Sequence, residues 1–304
     1  MRSDVTRARA STSKDEYVYR VRRAVVGWPL RMDETVYVAG HHLPHHVHPR
    51  PVLIAFLEGE WLHAVGDDTR RVGPGEIAFL PAHTAHALTL AGRLGRAFSI
   101  EFESSALCDA LPRRAMHTSD PRLLALTLDT YRSFASDRAI TGERLAESLI
   151  VALEAIDHRQ HRLRSSDDAT WLAMTLDRIR RTLADGVRMS AIAREVGIHH
   201  AHMSRRFHQV FGESMCAFRD RLRIERASRA LLSSDDTISS IAAELGFCDH
   251  AHLTRMFKRA TSMTPSQFRR VVANTGLDHD SVHSLDSRPE FVHHTSSVSG
   301  IRMV

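Results

Sequence analysis

The sequence carries an internal repeat, in which one pattern of apolar residues and glycine recurs after about 50 residues. An Ile-Ala pair at 241–242 precedes Gly246, and the same pair at 192–193 precedes Gly197. After a one-residue insertion the match continues through His202, Met203, Arg205, Phe207 and Phe218, which align with His252, Leu253, Arg255, Phe257 and Phe268. A repeat at fixed spacing indicates one structural unit used twice, so it constrains the fold more than any other feature.

Each copy has the residues of a short helix, a tight turn and a second helix. In the later copy the apolar residues recur at helical spacing, at Ile238, Ile241, Ala242 and Leu245. Gly246 can adopt the left-handed conformation that ends a helix, and Asp249 can cap the next helix. A short helix, a glycine turn and a polar-faced helix form a helix-turn-helix, the element that enters the DNA major groove. The sequence therefore predicts two such units.

The segment between the two units predicts a long connecting helix, from Ser214 to Leu232. About 18 helical residues span roughly 27 Å at 1.5 Å each. Adjacent major-groove segments on one face of DNA lie about 34 Å apart. A rigid helix of this length could therefore hold two recognition helices near one helical turn apart. A further helix over Trp171–Leu183 is predicted to open this domain.

The net positive charge of the chain lies in the repeat-bearing segment. Residues 171–273 contain 17 Lys and Arg against 10 Asp and Glu, whereas residues 1–170 contain 22 of each. Residues 274–304 contain two Arg against four acidic residues. A basic domain joined to a neutral one favours a polyanion as partner of the basic part. The alternative is that the basic residues only solubilise a surface.

Composition places the chain among ordinary globular proteins. A length of 304 residues predicts roughly two domains, and 43% hydrophobic and 25% charged residues are usual values. No apolar run approaches the ~18 residues of a membrane helix, and the basic N-terminus lacks the apolar core of a signal peptide. The three cysteines are an odd number without metal-site spacing. We therefore expect a cytoplasmic protein without a membrane partner.

The N-terminal part reads as short strands separated by turns. Apolar or alternating runs occur at residues 36–39, 52–56, 61–65, 76–80 and 97–102, with glycine-rich turns between them. Many short strands at this spacing predict a small β-barrel or a double-sheet jelly roll.

The pattern becomes helical from residue 121 to residue 163, where two amphipathic helices are predicted on either side of a Thr141-Gly142 break. These helices could pack on the barrel or pair with a second subunit. The predicted domains are then residues 17–163 for the strands and their helices, 164–170 for a linker, and 171–273 for the double helix-turn-helix. Residues 1–16 and 274–304 are polar or aperiodic, and we predict them to be disordered.

Residues 171–273 resemble the DNA-binding domain of the AraC/XylS family of transcriptional regulators. The resemblance rests on Ile192-Ala193, Gly197, Met203-Ser-Arg-Arg-Phe207, Gly212, Arg221-Leu-Arg-Ile-Glu-Arg-Ala227, Leu231-Leu232, Ile241-Ala242, Gly246-Phe247, Leu253-Thr-Arg-Met-Phe-Lys258, Pro265 and Phe268-Arg-Arg270. It implies that the polar faces of the two recognition helices meet base edges, through Ala201, Ser204, Arg205, His250, Ala251, Thr254 and Arg255. Arg206 and Lys258 are better placed for phosphates.

The residue types at these positions suit base contacts. An arginine can bind guanine O6 and N7 with two hydrogen bonds, and an alanine or threonine methyl can meet the thymine methyl. The alternative for Arg205 and Arg255 is that each is a solvated helix residue. For His202 and His252, packing or a phosphate contact is favoured over base reading.

Two helix ends have unusual capping residues, and a third has the usual ones. His199 stands where a serine N-cap is usual, and it is a weaker cap. Ser262 stands where the first unit has Gly212, so a serine is expected in a left-handed conformation. Thr264 and Gln267 form the sequence of a capping box.

The N-terminal domain resembles the cupin family. Gly40 is followed by His46-Val-His48, and Gly75 is followed by Pro81 and then His86, at cupin spacings. The resemblance implies one divalent metal held by His46, His48 and His86, and a His-x-His pair on a strand does place both imidazoles on one face. The glutamate of the cupin motif is missing, and His83 replaces a glycine after Pro81. The alternative is that the histidines only line a small-molecule pocket.

The sequence as a whole predicts an α+β two-domain protein. Its N-terminal cupin-like β-barrel (jelly roll) is followed by helices, and its C-terminal all-α domain has two helix-turn-helix units joined by a linker helix. The predicted function is a non-enzymatic transcriptional regulator that binds double-stranded promoter or operator DNA and senses a small molecule or a metal. A homodimer and contact with RNA polymerase are expected, and no cofactor is certain. The alternative is a metal-dependent cupin enzyme with an appended DNA-binding module.

Overall fold

The computed structural model describes residues 19–27, 29–136, 142–164 and 169–273. The disorder predicted for residues 1–16 and 274–304 lies outside these ranges, as do residues 165–168 of the predicted linker.

Ten strands form two facing sheets in the N-terminal half of the described chain. They are Tyr19–Gly27 (β1), Leu30–Val38 (β2), His42–His46 (β3), Val52–Glu58 (β4), Trp61–Val65 (β5), Asp68–Val72 (β6), Ile77–Leu80 (β7), His86–Leu90 (β8), Leu94–Phe102 (β9) and Met116–Thr118 (β10). One sheet has the order β1-β2-β9-β4-β7-β10, and the other has the order β3-β8-β5-β6. The pairs are antiparallel. This is a double-sheet jelly roll of the predicted cupin-like kind.

The larger sheet is buried on both faces. Along β4, Ile54 and Phe56 belong to the core between the two sheets, whereas Leu53, Ala55 and Leu57 belong to a second core on the outer face. Side chains alternate between faces along a strand, so a strand covered on both sides needs a continuous apolar run. The sequence Val-Leu-Ile-Ala-Phe-Leu of β4 meets that need.

Ten helices are described. They are Ser105–Asp109 (α1), Pro121–Ala135 (α2), Gly142–Arg164 (α3), Ala169–Arg181 (α4), Met189–Val196 (α5), His200–Phe211 (α6), Met215–Ser233 (α7), Ile238–Glu244 (α8), His250–Thr261 (α9) and Pro265–Ala273 (α10). The predicted linker helix is thus α7, with Ser214 as its N-cap. The two predicted helix-turn-helix units are α5–α6 and α8–α9.

The two helix-turn-helix units are attached to the protein differently. The unit of α8 and α9 shares one continuous core with α2, α3 and the outer face of the larger sheet, through residues such as Leu253 and Phe257. The unit of α5 and α6 has a separate core, in which Met203 and Phe207 pack against α4 and α7. The packing of α2 and α3 on the sheet is the first of the two arrangements expected from sequence. Burial of this apolar surface joins the second unit to the domain formed by the two sheets and helices α1–α3.

The helix ends follow the sequence closely. Gly246 has φ +73°, and a Cβ there would lie 2.4 Å from the carbonyl oxygen of Ala184, so only glycine fits. Ser262 has φ +61°, which confirms the predicted left-handed serine. Thr264 and Gln267 form the predicted capping box, with hydrogen bonds of 2.9 and 3.2 Å. Within the described ranges, no helix combines the length and apolarity needed to cross a bilayer.

Candidate DNA interface and histidine centre

Helix α6 turns one face inward and leaves the opposite face open. Met203 and Phe207 are fully buried, because they lie one turn apart on the inner face. On the outer face Ala201 and Arg205 are exposed, and Ser204 is half-buried. Arg206 is half-buried and donates to Gln209 Oε1 at 2.9 Å.

Helix α9 repeats this arrangement. Its outer face exposes the predicted residues His250, Ala251, Arg255 and Lys258. Thr254 is half-buried, and its hydroxyl oxygen is enclosed without a hydrogen-bond partner within the described part of the chain. The accessible atoms of Thr254 therefore exclude the hydroxyl, which leaves its methyl group as the side-chain atom able to meet a base.

Arg205 and Arg255 differ from the arginines of the linker helix. Neither of the two makes a hydrogen bond or an ion pair with any described residue, and both are exposed. On α7, by contrast, Arg221 contacts Glu213 at 2.9 Å, and the buried Arg223 donates to the carbonyl of Leu183 at 2.8 Å. The α7 arginines hold the domain together, whereas Arg205 and Arg255 have their guanidinium groups available.

The histidines before the two arginines support the turns. His252 Nδ1 accepts from the backbone N–H of Cys248 at 3.3 Å, and its ring packs edge-on against Phe247 at 5.4 Å. His202 lies 6.4 Å from the ring of Trp171. Both contacts are of the packing kind that the sequence favoured over base reading.

The three histidines of the predicted metal site lie together. His46 is on β3, His86 opposite it on β8, and His48 just beyond β3. Their candidate ligand atoms lie within 4.8 Å of one another. The Nε2 atoms of His48 and His86 are 3.1 Å apart. Strand pairing thus brings together two motifs that are about 40 residues apart in sequence.

Each of the three imidazoles has its Nδ1 atom engaged on the far side of the ring. His46 Nδ1 lies 2.9 Å from the carbonyl of Pro44, and His48 Nδ1 lies 3.2 Å from Glu101 Oε1. His86 Nδ1 lies 3.0 Å from Nε2 of His63. Metal-binding histidines usually have one ring nitrogen held this way, which orients the other toward the ion. The donor set therefore fits a divalent ion held by three Nε2 atoms.

The histidine contacts continue beyond the three candidate ligands. His63, on β5, is fully buried, and its Nδ1 lies 2.8 Å from Nε2 of His117 on β10. Because β5 and β10 belong to different sheets, this hydrogen bond crosses the sandwich. A chain of contacts thus runs from Glu101 through His48, His86 and His63 to His117.

Burial favours the neutral form of four of these imidazoles, at His46, His63, His86 and His117. Desolvation lowers the pKa of His63 to about 3, of His86 to about 2 and of His117 to about 4, with smaller effects from neighbouring positive charge. The pKa of His46 is also lowered by burial. A neutral imidazole is the form that binds a metal, so the lowered pKa values of His46 and His86 reduce competition from protons at these two ligands near neutral pH.

The sequence did not point to Glu101, His63 or His117 as parts of this centre. Glu101 lies on β9, and it replaces the missing motif glutamate only as an outer partner of His48. His63 carried a weak signal, because it shares one face of a predicted strand with Trp61. Two further histidines near β3 make other contacts. The His41 ring is buried 4.8 Å from the Tyr37 ring, and His42 Nδ1 lies 2.8 Å from the hydroxyl of Thr89.

The space between the sheets next to the centre is filled by large side chains. Trp61 and Phe56 are buried there, with ring centroids 6.0 Å apart. A Cβ at Gly95 would lie 2.3 Å from Cζ2 of Trp61, so the indole packs directly on the glycine backbone.

Comparison with known families matches both halves of the chain. Residues 34–161 match the family of the AraC-like ligand binding domain, and residues 171–271 match a helix-turn-helix domain family. The two kinds of domain expected from the sequence are thereby confirmed, in the expected order.

Two curated relatives and one solved structure show how far the similarity extends. The chain is 36% identical over 81 residues to an uncharacterised HTH-type transcriptional regulator of Staphylococcus aureus (strain COL), a match covering 27% of this chain and 11% of that protein. It is 24% identical over 267 residues to the HTH-type transcriptional activator RhaR of Pectobacterium atrosepticum, covering 79% and 92% of the two chains. The crystal structure of ToxT from Vibrio cholerae is 11% identical, covers 80% and 98%, and superposes with a TM-score of 0.37.

Proposed function

Since the chain belongs to the AraC/XylS family of transcriptional regulators, we propose that it binds one specific DNA duplex through both helix-turn-helix units. The observation that carries this proposal is that the side chains of Arg205 and Arg255 are exposed and make no hydrogen bond or ion pair with any described residue. They occupy equivalent places on α6 and α9, one unit at each end of α7.

The linker helix sets the spacing of the proposed contacts. Its 19 residues correspond to roughly 28 Å at 1.5 Å per residue. Successive major grooves on one face are about 34 Å apart, so two helices mounted at its ends would meet neighbouring grooves. Two units with different side chains, such as Ser204 against Thr254, would read an asymmetric site. Phosphate contacts from Arg206 and Lys258 would fix the register without specifying sequence.

Selection of bound duplexes from a random pool tests the DNA proposal. We expect one asymmetric consensus with two parts about 10 base pairs apart, centre to centre. The Arg205→Ala variant should lose preference in one part only, and Arg255→Ala in the other. Recovery of a single short element, unchanged by either variant, would contradict reading by both units.

We also propose that the sensor domain binds a divalent transition metal through His46, His48 and His86. The supporting observation is the shared direction of the three rings, with each Nδ1 held by an outer partner and the Nε2 atoms of His48 and His86 facing each other at 3.1 Å. Imidazole ligands suit zinc, iron, copper and nickel. The bound ion would act as the effector, and it alters DNA affinity only if it binds two arrangements of the domains unequally.

Metal analysis of purified protein tests this second proposal. We expect one divalent ion per chain, lost on dialysis against a strong chelator and regained from Zn²⁺ or Co²⁺ solution. The His46→Ala variant should not regain it, whereas the His45→Ala variant should, because His45 is exposed on the same strand outside the ligand set. Failure of the wild-type chain to bind any of these ions would remove the metal from the proposal and leave a small organic effector.

The rival proposal, a metal-dependent cupin enzyme with a DNA-binding module, predicts a different outcome. It requires a stoichiometric redox-active or Lewis-acidic metal together with turnover of a small substrate. The absence of a carboxylate among the three candidate ligands favours the sensor.

A homodimer and contact with RNA polymerase remain predictions of the regulator proposal. Its site of action would be the cytoplasm.

A further inference from the structure

We propose that His63 and His117 connect the metal centre to the linker helix α7, because metal binding reverses the tautomers along the histidine chain. This inference rests on the metal site proposed above and names how its occupancy would reach the DNA-binding half. Both residues act through others: they are positioning residues of the centre and are not themselves ligands.

In the metal-free protein, Glu101 sets the direction of the chain. A carboxylate only accepts hydrogen bonds, so His48 carries its proton on Nδ1, 3.2 Å from Glu101 Oε1. The Nε2 atom of His48 is then an acceptor, and Nε2 of His86 donates to it across 3.1 Å. By the same logic His63 donates from Nε2 to His86 Nδ1, and His117 donates from Nε2 to His63 Nδ1. His86, His63 and His117 therefore all carry their single ring proton on Nε2.

Metal ligation demands the opposite arrangement. When His48 and His86 use their Nε2 lone pairs as ligands, the proton of His86 must reside on Nδ1, from which it donates to His63 Nε2. His63 then carries its proton on Nδ1 and donates to His117 Nε2, so His117 also carries its proton on Nδ1. The protons move one step along the two hydrogen bonds: His117 passes its Nε2 proton to His63 Nδ1, and His63 passes its Nε2 proton to His86 Nδ1. His86 gives up its own Nε2 proton as the ion takes that lone pair, and the half-buried His117 takes up one proton from solvent on Nδ1. Each of the three rings therefore ends with one proton and no change of charge.

The far end of the chain lies beside the contact with the DNA-binding half. Two residues after His117, Ser119 Oγ accepts a hydrogen bond from Arg229 of α7 at 3.3 Å. Asp120 follows, and its side chain caps α2 by accepting from the backbone N–H groups of Arg122 and Leu123. The tautomer of His117 therefore changes only two residues before Ser119, which contacts α7, and three residues before Asp120, which caps α2.

The surroundings of this segment can transmit a small displacement. Helix α2 packs on α7, α9 and α10, so it contacts the second helix-turn-helix unit directly. Arg229 also lies 3.7 Å from Glu76 of the turn before β7. Next to Glu76, a Cβ built on Gly75 would lie 3.4 Å from the Cα of Arg229. The charged groups that act electrostatically on His117 are Arg70 and Asp68 of β6.

Nitrogen-15 NMR of the histidine rings tests the reversal, since Nδ1–H and Nε2–H tautomers have different ring-nitrogen shifts. The full chain, labelled on histidine, is compared before and after addition of one equivalent of Zn²⁺. The signals of the two residues are assigned through His63→Phe and His117→Phe variants, and His45→Gln is the control. We expect His63 and His117 to change from Nε2–H to Nδ1–H. Bound Zn²⁺ with unchanged tautomers at both residues would overturn this inference and leave the metal site intact. No bound Zn²⁺ would overturn the metal site and this inference together.

The variants supply a second readout. Loss of an outer partner of a metal ligand usually lowers metal affinity 10–100-fold, and His117 is one step further out, so we expect about 10-fold for His117→Phe. Zn²⁺ should change hydrogen exchange in residues 117–124 and in α7 of the wild type and of His45→Gln, but not of His117→Phe. Equal Zn²⁺-dependent changes in all three proteins would show that the signal does not pass through His117.

Discussion

Arg96 of the sensor domain donates a hydrogen bond to the backbone carbonyl of Val272, 3.3 Å away in the last helix of the DNA-binding domain. Arg96 is buried, and its guanidinium also contacts Glu58 at 2.7 Å and Glu34 at 3.6 Å. Its positive charge thus lies near the C-terminal end of α10, where a helix favours a cation. The contact adds to the shared core that holds the second helix-turn-helix unit on the sensor domain, whereas the first unit has its own core.

Removal of the Arg96 charge should destabilise the protein strongly. Arg96→Met would leave two acidic side chains without this partner, and breaking a buried ion pair in this way costs about 3–5 kcal/mol. Chemical denaturation measures the change in the free energy of unfolding. The control is Arg93→Met, since Arg93 is exposed in the turn before β9 and should change stability by less than about 0.5 kcal/mol. Adding Glu34→Gln to Arg96→Met should recover part of the loss, and no recovery would argue against an electrostatic cause.

Arg255→Ala should weaken binding to the selected operator by about 1–3 kcal/mol and relax preference at one base position. The reason is that an unpaired arginine on the outer face of α9 can make a bidentate contact with guanine. Lys258→Ala is the matched comparison, because it should weaken binding to all duplexes and reduce the salt dependence instead. Titration by fluorescence anisotropy at two salt concentrations separates the two effects. Unchanged affinity and preference in Arg255→Ala would refute the base-reading role.

Ser262→Gly should stabilise the protein by about 0.5–1 kcal/mol, because φ of +61° is strained for serine and natural for glycine. The reverse change is available at the equivalent helix end of the first unit. Gly212 has φ +70°, and no atom lies within 4 Å of a Cβ built there, so Gly212→Ser tests the backbone effect without a steric one. Thermal unfolding of both variants should give shifts of opposite sign. Shifts of the same sign would mean that the left-handed conformation does not decide stability.

Glu101→Gln should lower Zn²⁺ affinity roughly 10-fold, because the carboxylate makes His48 a better ligand by accepting from its Nδ1. Competition with a chromophoric chelator gives the dissociation constant. Glu103→Gln is the control, since Glu103 lies just beyond the same strand and pairs with Arg50 instead. Equal effects of the two substitutions would indicate a general loss of negative charge rather than a specific partner of His48.

The metal-free protein should lose stability as the pH falls below about 6.5. The folded-state pKa values of His63 and His117 are about 3 and about 4, below the ordinary 6.5, so between these limits the unfolded chain binds more protons. Two carboxyl groups oppose this effect. Burial raises the pKa of Asp33 to about 6 and also raises the pKa of Glu225, so the folded chain holds these protons more tightly than the unfolded chain does. The histidine effect should exceed theirs because His41 and His86 share it. Denaturation at pH 7 and pH 5 with chelator present measures the difference, and equal stability would contradict it.

The sequence alone determined the features that depend on local spacing. Helical periodicity and Gly246 gave the helix-turn-helix units, and the capping residues Thr264 and Gln267 gave the start of α10. The resemblance to the cupin family implied the His-x-His pair and His86 as candidate ligands, and strand alternation explains why the two histidines of the pair share one face. The helical periodicity of the apolar residues also predicted that Arg205 and Arg255 lie on exposed helix faces.

Tertiary structure decided which residues from distant segments meet. Glu101 and His117 became parts of the histidine centre only because β9 and β10 lie in the sheet opposite β5 and β8, and no local pattern encodes that pairing. The shared core between the sensor domain and the second helix-turn-helix unit is likewise invisible in sequence. An apolar stripe states that a face is buried, but the partner that buries it is chosen by the packing of the whole chain.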